Sequence, residues 1–320
     1  MSHAKTPTLA DAGRGALAAP CRGGANLLAS IPLLVLEALL VVTWSSGFIG
    51  ARLAVDHAPP FLVVFWRCVV VLALLSPFVI TTLRKTPLSV LLRHAGIGLL
   101  AMSGYLAGVV KGIAYGVPAG LAALLADLLP IGTALLAAVF LGQRPTRRTG
   151  LGLGLGLAGV GLVLSDVLGL GAAPLWAYAL PVLGMLSLAV ATLWQKHTPS
   201  AASMPLMANL WVQCAVSSIA FAVLAVFEGR LMPVFTTGFA ISVVWTAVLA
   251  SIGGYGLYWI CLRRSSPTRV ASVLYLSPAV TLVWAWAMFD EPLSWWVAAG
   301  TAVSAAGIWL VIASDATRRR

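Results

Sequence analysis

Long apolar stretches follow one another along this chain, with only short polar links between them. A helix of about 20 apolar residues crosses the hydrocarbon core of a bilayer, and ten such stretches can be placed. They are 31–51, 61–81, 94–111, 119–141, 149–166, 174–194, 206–227, 238–261, 269–289 and 294–313. The mean hydropathy is +0.99, more apolar than the surface of a soluble domain allows. We therefore predict an all-α integral membrane protein with ten transmembrane helices.

Basic residues are distributed unevenly between the two ends of these spans. Most of the 20 Lys and Arg residues lie in the tails and in the even-numbered links, whereas the opposite ends hold only Arg52, Lys111 and Arg230. Short basic loops stay in the cytoplasm, so both termini are predicted to be cytoplasmic, with residues 1–30 a disordered tail and 314–320 a basic tail. The net charge of +11 is then a topology signal beside the lipid bilayer, and no nucleic-acid partner is predicted.

The chain contains a repeat of itself. The stretch from Pro130 to Gly159 matches the stretch from Pro278 to Gly307 at a constant offset of 148 residues. Upstream, Pro60 and Trp66 match Pro205 and Trp211 at an offset of 145 residues. Each repeat holds five predicted spans, over 31–166 and 174–313. Five is an odd number, so the second repeat enters the membrane from the opposite side, and the halves are predicted to be inverted copies, as in many secondary transporters.

Several motifs resemble a known family. Residues 44–52, Trp-Ser-Ser-Gly-Phe-Ile-Gly-Ala-Arg, resemble the first-helix signature of EamA-type transporters of the drug/metabolite transporter superfamily, and Pro60 with Trp66-Arg67 resembles the start of their second helix. Leu129-Pro130 and Ser277-Pro278, each followed by a polar loop and a Gly-rich helix, resemble the repeat ends. The resemblance implies a ten-helix basket with a central cavity that carries small metabolites. The loop Glu of the family is Gln143 in the first repeat and Glu291 in the second.

Other patterns are interpreted structurally. Gly154 to Gly159 fits the dinucleotide-binding fingerprint in letters, but it lies inside an apolar helix, where closely packed small residues are the better interpretation. These Gly-rich faces are also candidates for a homodimer interface. The four cysteines are not spaced as metal ligands, and no grouping of catalytic residues is found, so no cofactor, metal or enzymatic activity is predicted. The adjacent acids Asp290 and Glu291 are expected in a solvated turn.

The function predicted from these features is secondary active transport of a small metabolite across the inner (plasma) membrane by alternating access. An amino acid or an amphipathic compound is the expected substrate class, and export the expected direction. The alternatives are a polytopic membrane sensor that transports nothing and a membrane-embedded enzyme. Neither of these requires two inverted five-helix halves.

Charged residues inside the spans are candidates for the site, because such residues are costly in lipid and usually face the protein interior. Arg67 and Asp127 are predicted at similar depth and as a pair, with Trp44 and Ser45 nearby. Asp127 would bind a substrate amine or a coupling proton while Arg67 tunes its affinity. A structural ion pair, or an Arg67 side chain that snorkels outward, is the alternative. Glu37 is predicted to form a separate site in the inner half.

Prolines at matching places mark a second class of candidates. Pro130 and Pro278 each lie about halfway along a span, where a proline removes a backbone hydrogen bond and bends the helix. Bent helices at corresponding places in two halves indicate a binding site, and a simple packing kink is the alternative.

Overall fold

The computed structural model describes residues 31–140, 142, 146–169, 173–196, 204–265, 270 and 273–318. The tail over 1–30 and Gln143 lie outside these residues. Helices and short connections account for all of the described residues, and none of them forms a strand. The helices are α1 Leu33–Val55, α2 Pro60–Lys85, α3 Leu88–Ala114, α4 Ala119–Ala126, α5 Leu129–Phe140, α6 Arg147–Gly169, α7 Ala179–Lys196, α8 Leu206–Phe227, α9 over 237–264, α10 Ser277–Phe289 and α11 Trp295–Arg318.

Most of these helices are long and apolar enough to cross a membrane. Seven candidate spans meet that description: Leu33–Val55, Pro60–Lys85, Leu88–Ala114, Ala119–Phe140, Leu175–Gln195, Leu206–Phe227 and Thr237–Tyr258. Two shorter apolar helices cover Ser277–Phe289 and Trp295–Leu310. The chain is therefore an all-helical, multi-pass membrane protein, and the count of ten transmembrane helices stays a prediction.

Helices of the first half, residues 31–166, pack mainly on helices of the second half, residues 174–313. The principal pairs are α2 with α8, α6 with α11, α1 with α9, α3 with α7 and α4 with α10. This arrangement is what two related repeats would produce, because α2 and α6 pack on their own counterparts α8 and α11, whereas α1 and α3 each pack on the counterpart of the other. The inverted relation of the repeats stays a prediction.

Small residues allow the closest of these pairings. A Cβ at Gly159 of α6 would overlap the Gly300 carbonyl and Ser304 of α11, and a Cβ at Gly307 would overlap the backbone near Gly156. Ser304 Oγ donates to the Gly156 carbonyl over 3.1 Å. Gly156 and Gly159 of the fingerprint-like run thus serve helix packing within the chain, whereas Gly154 has open space around it. A homodimer through Gly-rich faces stays a prediction.

Irregular backbone occurs at corresponding places in the two halves. Residues 127–128 separate α4 from α5, and residues 275–276 precede α10, at the offset of 148 residues seen in the sequence. Helices α3 and α9 each contain a π-helical segment, over Leu99–Gly104 and Thr246–Gly254, and these positions also correspond. Such segments interrupt the regular hydrogen-bond ladder and are frequent at functional sites.

Candidate functional site

A cavity lies between α1, α2 and α3 of the first half and α9 of the second. The centres of water-sized molecules can occupy about 50 Å³ of it, which is enough for several waters. Its lining residues are Trp44, Gly47, Phe48, Gly50, Ala51, Ala54, Pro60, Val63, Val64, Arg67, Tyr105, Leu106, Val109, Val110, Thr246, Ala250 and Tyr255. The walls are thus mostly aliphatic and aromatic, and Arg67 is the charged residue among them.

The Arg67 side chain is held from the second half. It is 6% exposed, and its Nε donates to Ser251 Oγ over 2.7 Å. Ser251 lies in the π-helical segment of α9 and donates in turn to the Thr246 carbonyl over 3.1 Å. No described carboxylate lies within ion-pair distance of Arg67. The predicted pair with Asp127 is therefore wrong, because the hydroxyl of Ser251 takes the place of the acid.

Aromatic rings of α1, α3 and α9 form part of the cavity wall. The ring centroid of Trp44 lies 5.6 Å from that of Tyr255 and 6.0 Å from that of Tyr258, both in tilted geometry. Tyr105 of α3 is buried and within electrostatic reach of both Arg67 and Asp127. Trp44 and Arg67, two of the residues selected from the sequence, thus line one cavity.

Asp127 occupies the break between α4 and α5. Its carboxylate lies beside the Ser277 hydroxyl of the second half, and its Oδ2 is buried without a hydrogen-bond partner among the described residues. Ser45 Oγ donates to the Ser277 carbonyl over 3.2 Å. Asp127 and Ser45 are therefore joined through Ser277, next to the cavity and not within its lining.

The two prolines follow the helix breaks directly. Pro130 is the second residue of α5, and Pro278 is the second residue of α10. Proline is favoured in the first turn of a helix, because its missing N–H would have no intrahelical partner there. The predicted mid-span bends are thus breaks with a new helix start. Tyr275, which corresponds to Asp127 in the repeat, also has a buried hydroxyl without a partner in the described part of the chain.

Glu37 lies apart from the cavity. It is 2% exposed on α1, next to the apolar cluster formed by Leu36, Leu40, Cys261 and Val270. It lies within electrostatic reach of the Cys261 thiol of α9. This position agrees with a site separate from that of Arg67, and its function stays a prediction.

Two carboxylates of the second half hold helix starts of the first half. In the Glu228 clamp, Glu228 Oε1 accepts from Lys111 Nζ over 2.6 Å and Oε2 accepts from the backbone N–H of Phe61 over 3.1 Å. The Lys111 ammonium also lies 4.9 Å from the centroid of the Phe61 ring. Sequence reasoning missed this clamp, since a lone Glu at the end of a span is normally solvated.

The Glu291 clamp is similar. Glu291 Oε1 accepts from the backbone N–H of Ala119 over 3.1 Å and lies 3.9 Å from Arg52 Nε. Burial raises the pKa of Glu291, against the opposing effect of those backbone bonds and of Arg52. The expectation of a solvated turn is wrong for Glu291, whose side chain is 14% exposed. Asp290 beside it adopts a left-handed conformation with φ of 52°.

No group of three or more His, Cys, Asp or Glu side chains able to hold a metal ion is found within the described residues. Cys68, Cys214 and Cys261 are buried free thiols. The chemistry that the cavity offers is thus binding by a guanidinium, hydroxyls and aromatic rings.

Comparison with known proteins agrees with this architecture. The profile of the EamA-like transporter family matches residues 31–165 and 175–313. A "Probable amino-acid metabolite efflux pump" of Salmonella typhimurium (strain LT2) is 28% identical over 302 residues, which cover 89% of this chain and 96% of that protein. A protein of the same description from Escherichia coli K12 is 27% identical over 270 residues, covering 81% and 88%.

A crystal structure that carries no functional description superimposes with a TM-score of 0.62 at 19% identity, covering 90% of this chain and 98% of that one. This likeness supports the fold alone. The two profile matches, which together span nearly the whole chain, show that this protein is a membrane transporter belonging to the EamA-like transporter family.

Proposed function

We propose that this protein is a secondary active transporter that exports a small metabolite across the plasma (inner) membrane by alternating access. The observation that carries the proposal is the paired irregularity of the helices, with breaks at 127–128 and 275–276 at corresponding repeat positions. Discontinuous helices at the interface of two repeats are the usual place of transporter binding sites. The cavity draws its walls from both halves.

The substrate class is inferred from relatives and from the cavity. The two bacterial relatives are described as probable amino-acid metabolite efflux pumps, and the cavity here combines a guanidinium with aromatic and aliphatic walls. An amino acid or a related amphipathic metabolite suits such walls. A gradient, or the concentration difference of the substrate itself, would drive its movement.

The proposed orientation follows from the basic residues. Both termini face the cytoplasm, and the two halves are inverted copies. The end of the bundle that carries the Glu228 and Glu291 clamps then faces outward. Because each clamp joins second-half residues to helix starts of the first half, movement of the halves apart at this end would have to break both clamps.

Asp127 is proposed as the coupling or amine-binding group. Its partnerless Oδ2 lies at a helix break beside Ser277, where a proton or a substrate ammonium would satisfy it. Ser45 contacts Ser277 from α1, so a change of the Asp127 charge state would be transmitted to both halves. Pro130 and Pro278 would keep the breaks in place.

The test is transport by purified protein in proteoliposomes, loaded in turn with each member of an amino-acid panel. We expect saturable efflux of at least one compound, reduced about 10-fold or more by Asp127→Asn, since hydrogen bonds to a charged group contribute about 1.5–3 kcal/mol. Pro130→Ala and Pro278→Ala should lower efflux more than protein yield. Gly161→Ala, at a position with open space on α6, is the control.

Three results would contradict this function. Absence of efflux across the whole panel by monodisperse protein would favour the membrane sensor. Chemical conversion of a panel compound would favour the membrane-embedded enzyme. Normal efflux by Asp127→Asn at every pH from about 5 to about 8 would show that Asp127 is not part of the site.

A further inference from the structure

We propose that Arg67 is the carboxylate-binding group of the substrate site, so that the compounds carried are organic carboxylates or zwitterions. This inference rests on the transport function proposed above and adds the chemical class of the substrate. It assigns to Arg67 direct contact with the ligand, where the sequence analysis gave Arg67 the role of tuning the affinity of Asp127.

The argument begins with an uncompensated charge. The Arg67 side chain is 6% exposed, and no described carboxylate is within ion-pair distance of it. Its hydrogen bond to the neutral Ser251 hydroxyl satisfies one of five guanidinium donors and leaves the positive charge in place. A charge buried in a membrane protein is normally paired or faces a polar cavity. Here the missing anion is what a bound substrate would supply.

The geometry leaves the appropriate atoms free for that anion. The bond from Nε to Ser251 fixes one edge of the guanidinium, and Ser251 is itself anchored to the Thr246 carbonyl. The terminal nitrogens Nη1 and Nη2 make no hydrogen bond to the described part of the chain. Two adjacent donors on a planar, pre-oriented group fit the two oxygens of a carboxylate.

The remaining walls select the rest of the molecule. The rings of Trp44 and Tyr255, 5.6 Å apart, offer an apolar surface to a side chain. Tyr105 lies within electrostatic reach of both Arg67 and Asp127, so a zwitterion whose carboxylate meets Arg67 would direct its ammonium group toward Asp127. The same positive charge repels lipophilic cations. A cationic ligand, which the many Trp residues of the chain would otherwise accommodate, is therefore disfavoured.

The experiment measures binding to the full-length protein in lipid nanodiscs, by intrinsic Trp fluorescence and thermal stabilisation. The probes form two matched series: L-phenylalanine, L-phenylalaninamide, 3-phenylpropanoate and 2-phenylethylamine, and the corresponding leucine compounds. We expect the carboxylates to bind and the amide and the amine to bind at least about 10-fold more weakly, which is the loss of one charged hydrogen bond. This comparison uses the unmodified protein and does not depend on any variant folding.

Variants then assign the effect to the residue. Arg67→Gln should weaken carboxylate binding by about 10- to 150-fold, and Ser251→Ala should weaken it less, because Arg67 keeps its charge and loses its anchor. Arg84→Gln makes the same charge change at an exposed position near the opposite end of α2, and it should bind as the parent does. Equal affinity for the acids and the amides, no binding of any carboxylate at millimolar concentration, or parental affinity in Arg67→Gln would each overturn the proposal.

The two proposals can fail separately. Carboxylate binding that depends on Arg67, without efflux from proteoliposomes, would refute the transport function and leave the binding site standing. Efflux of neutral or cationic compounds by both the parent and Arg67→Gln would leave the transport function standing and refute the carboxylate site.

Discussion

We expect the Glu228 clamp to control how often the helix bundle opens at the end that carries the two clamps. Replacing Glu228 by Ala removes an ion pair of 2.6 Å to Lys111 and a hydrogen bond of 3.1 Å to the Phe61 N–H. The side chain of Lys111 is 26% exposed and that of Glu228 is 13% exposed, so the ion pair contributes about 1 kcal/mol. The hydrogen bond from the Phe61 N–H to the charged acceptor contributes about 1.5–3 kcal/mol. Their joint loss is roughly 2–4 kcal/mol, which shifts a two-state ratio by about 30- to 800-fold.

A reporter cysteine in the cavity measures that shift. Val64 lines the cavity and is 4% exposed, so a Val64→Cys substitution in a cysteine-free background should react with a membrane-impermeant maleimide only when the bundle opens. The labelling rate should rise at least about 30-fold in Glu228→Ala, and about 5-fold in Glu228→Gln, which keeps the acceptor for Phe61 and loses the charge. Arg84→Gln, an exposed charge change far along the chain from the clamp residues, controls for general effects of charge removal and should label as the parent does. An Ala variant that labels no faster than the parent, while its Tm is unchanged, would refute the reasoning that the clamp is broken on opening.

The remaining predictions concern the second clamp, the helix packing and the topology. Burial raises the pKa of Glu291 above its ordinary value of 4.5, so the folded protein binds the carboxyl proton more tightly than the unfolded chain does. The resulting stabilisation of the folded state is fully present below the ordinary pKa and is lost as the pH rises through the raised pKa. We therefore expect the Tm of the parent minus the Tm of Glu291→Gln, both in nanodiscs, to increase on acidification from about pH 8 to about pH 5, where a raised carboxyl pKa titrates. A Tm difference that stays constant over this range would contradict the prediction. Gly159→Ala should lower thermal stability by about 1–3 kcal/mol, because its Cβ would overlap α11, whereas Gly161→Ala, with open space around it, should be neutral or slightly stabilising. A Thr86→Cys substitution should not react with an impermeant reagent added outside intact cells, and strong labelling would reverse the proposed topology.

Hydropathy and repeats were enough to predict the helical membrane architecture. Apolar runs of about 20 residues leave a chain few alternatives to spanning helices. Pro130 and Pro278 marked the matching irregular places, although the sequence predicted a bend where each helix starts anew. The π-helical segments Leu99–Gly104 and Thr246–Gly254 were not predicted from the sequence. Neither segment contains a proline to announce it.

The candidate site was predictable in part. Arg67 and Trp44 stand out in the sequence because a charge and a large ring at mid-span require an explanation. The pairing of Arg67 with Asp127 was wrong, since depth along the membrane normal does not tell which way a side chain faces around its helix. Ser251, the actual partner, is one of many serines in apolar helices and carries no sequence signal. Glu291 was misinterpreted because an acid at a helix junction is usually solvated.

The asymmetry between the halves follows from these same residues. At the repeat offset of 145 residues, Val212 corresponds to Arg67, and at the offset of 148 residues, Ser103 corresponds to Ser251. Ser103 donates to Ser217 over 2.9 Å, so the repeat-related counterpart of the arginine site holds a valine and a neutral pair of hydroxyls. Two identical inverted halves would make the two access states equal in energy. The single arginine, together with clamp acids whose counterparts are Leu83 and Gln143, removes that equality. We therefore expect the binding affinity and the resting state to be determined by these few charged residues and the fold by the repeated apolar scaffold.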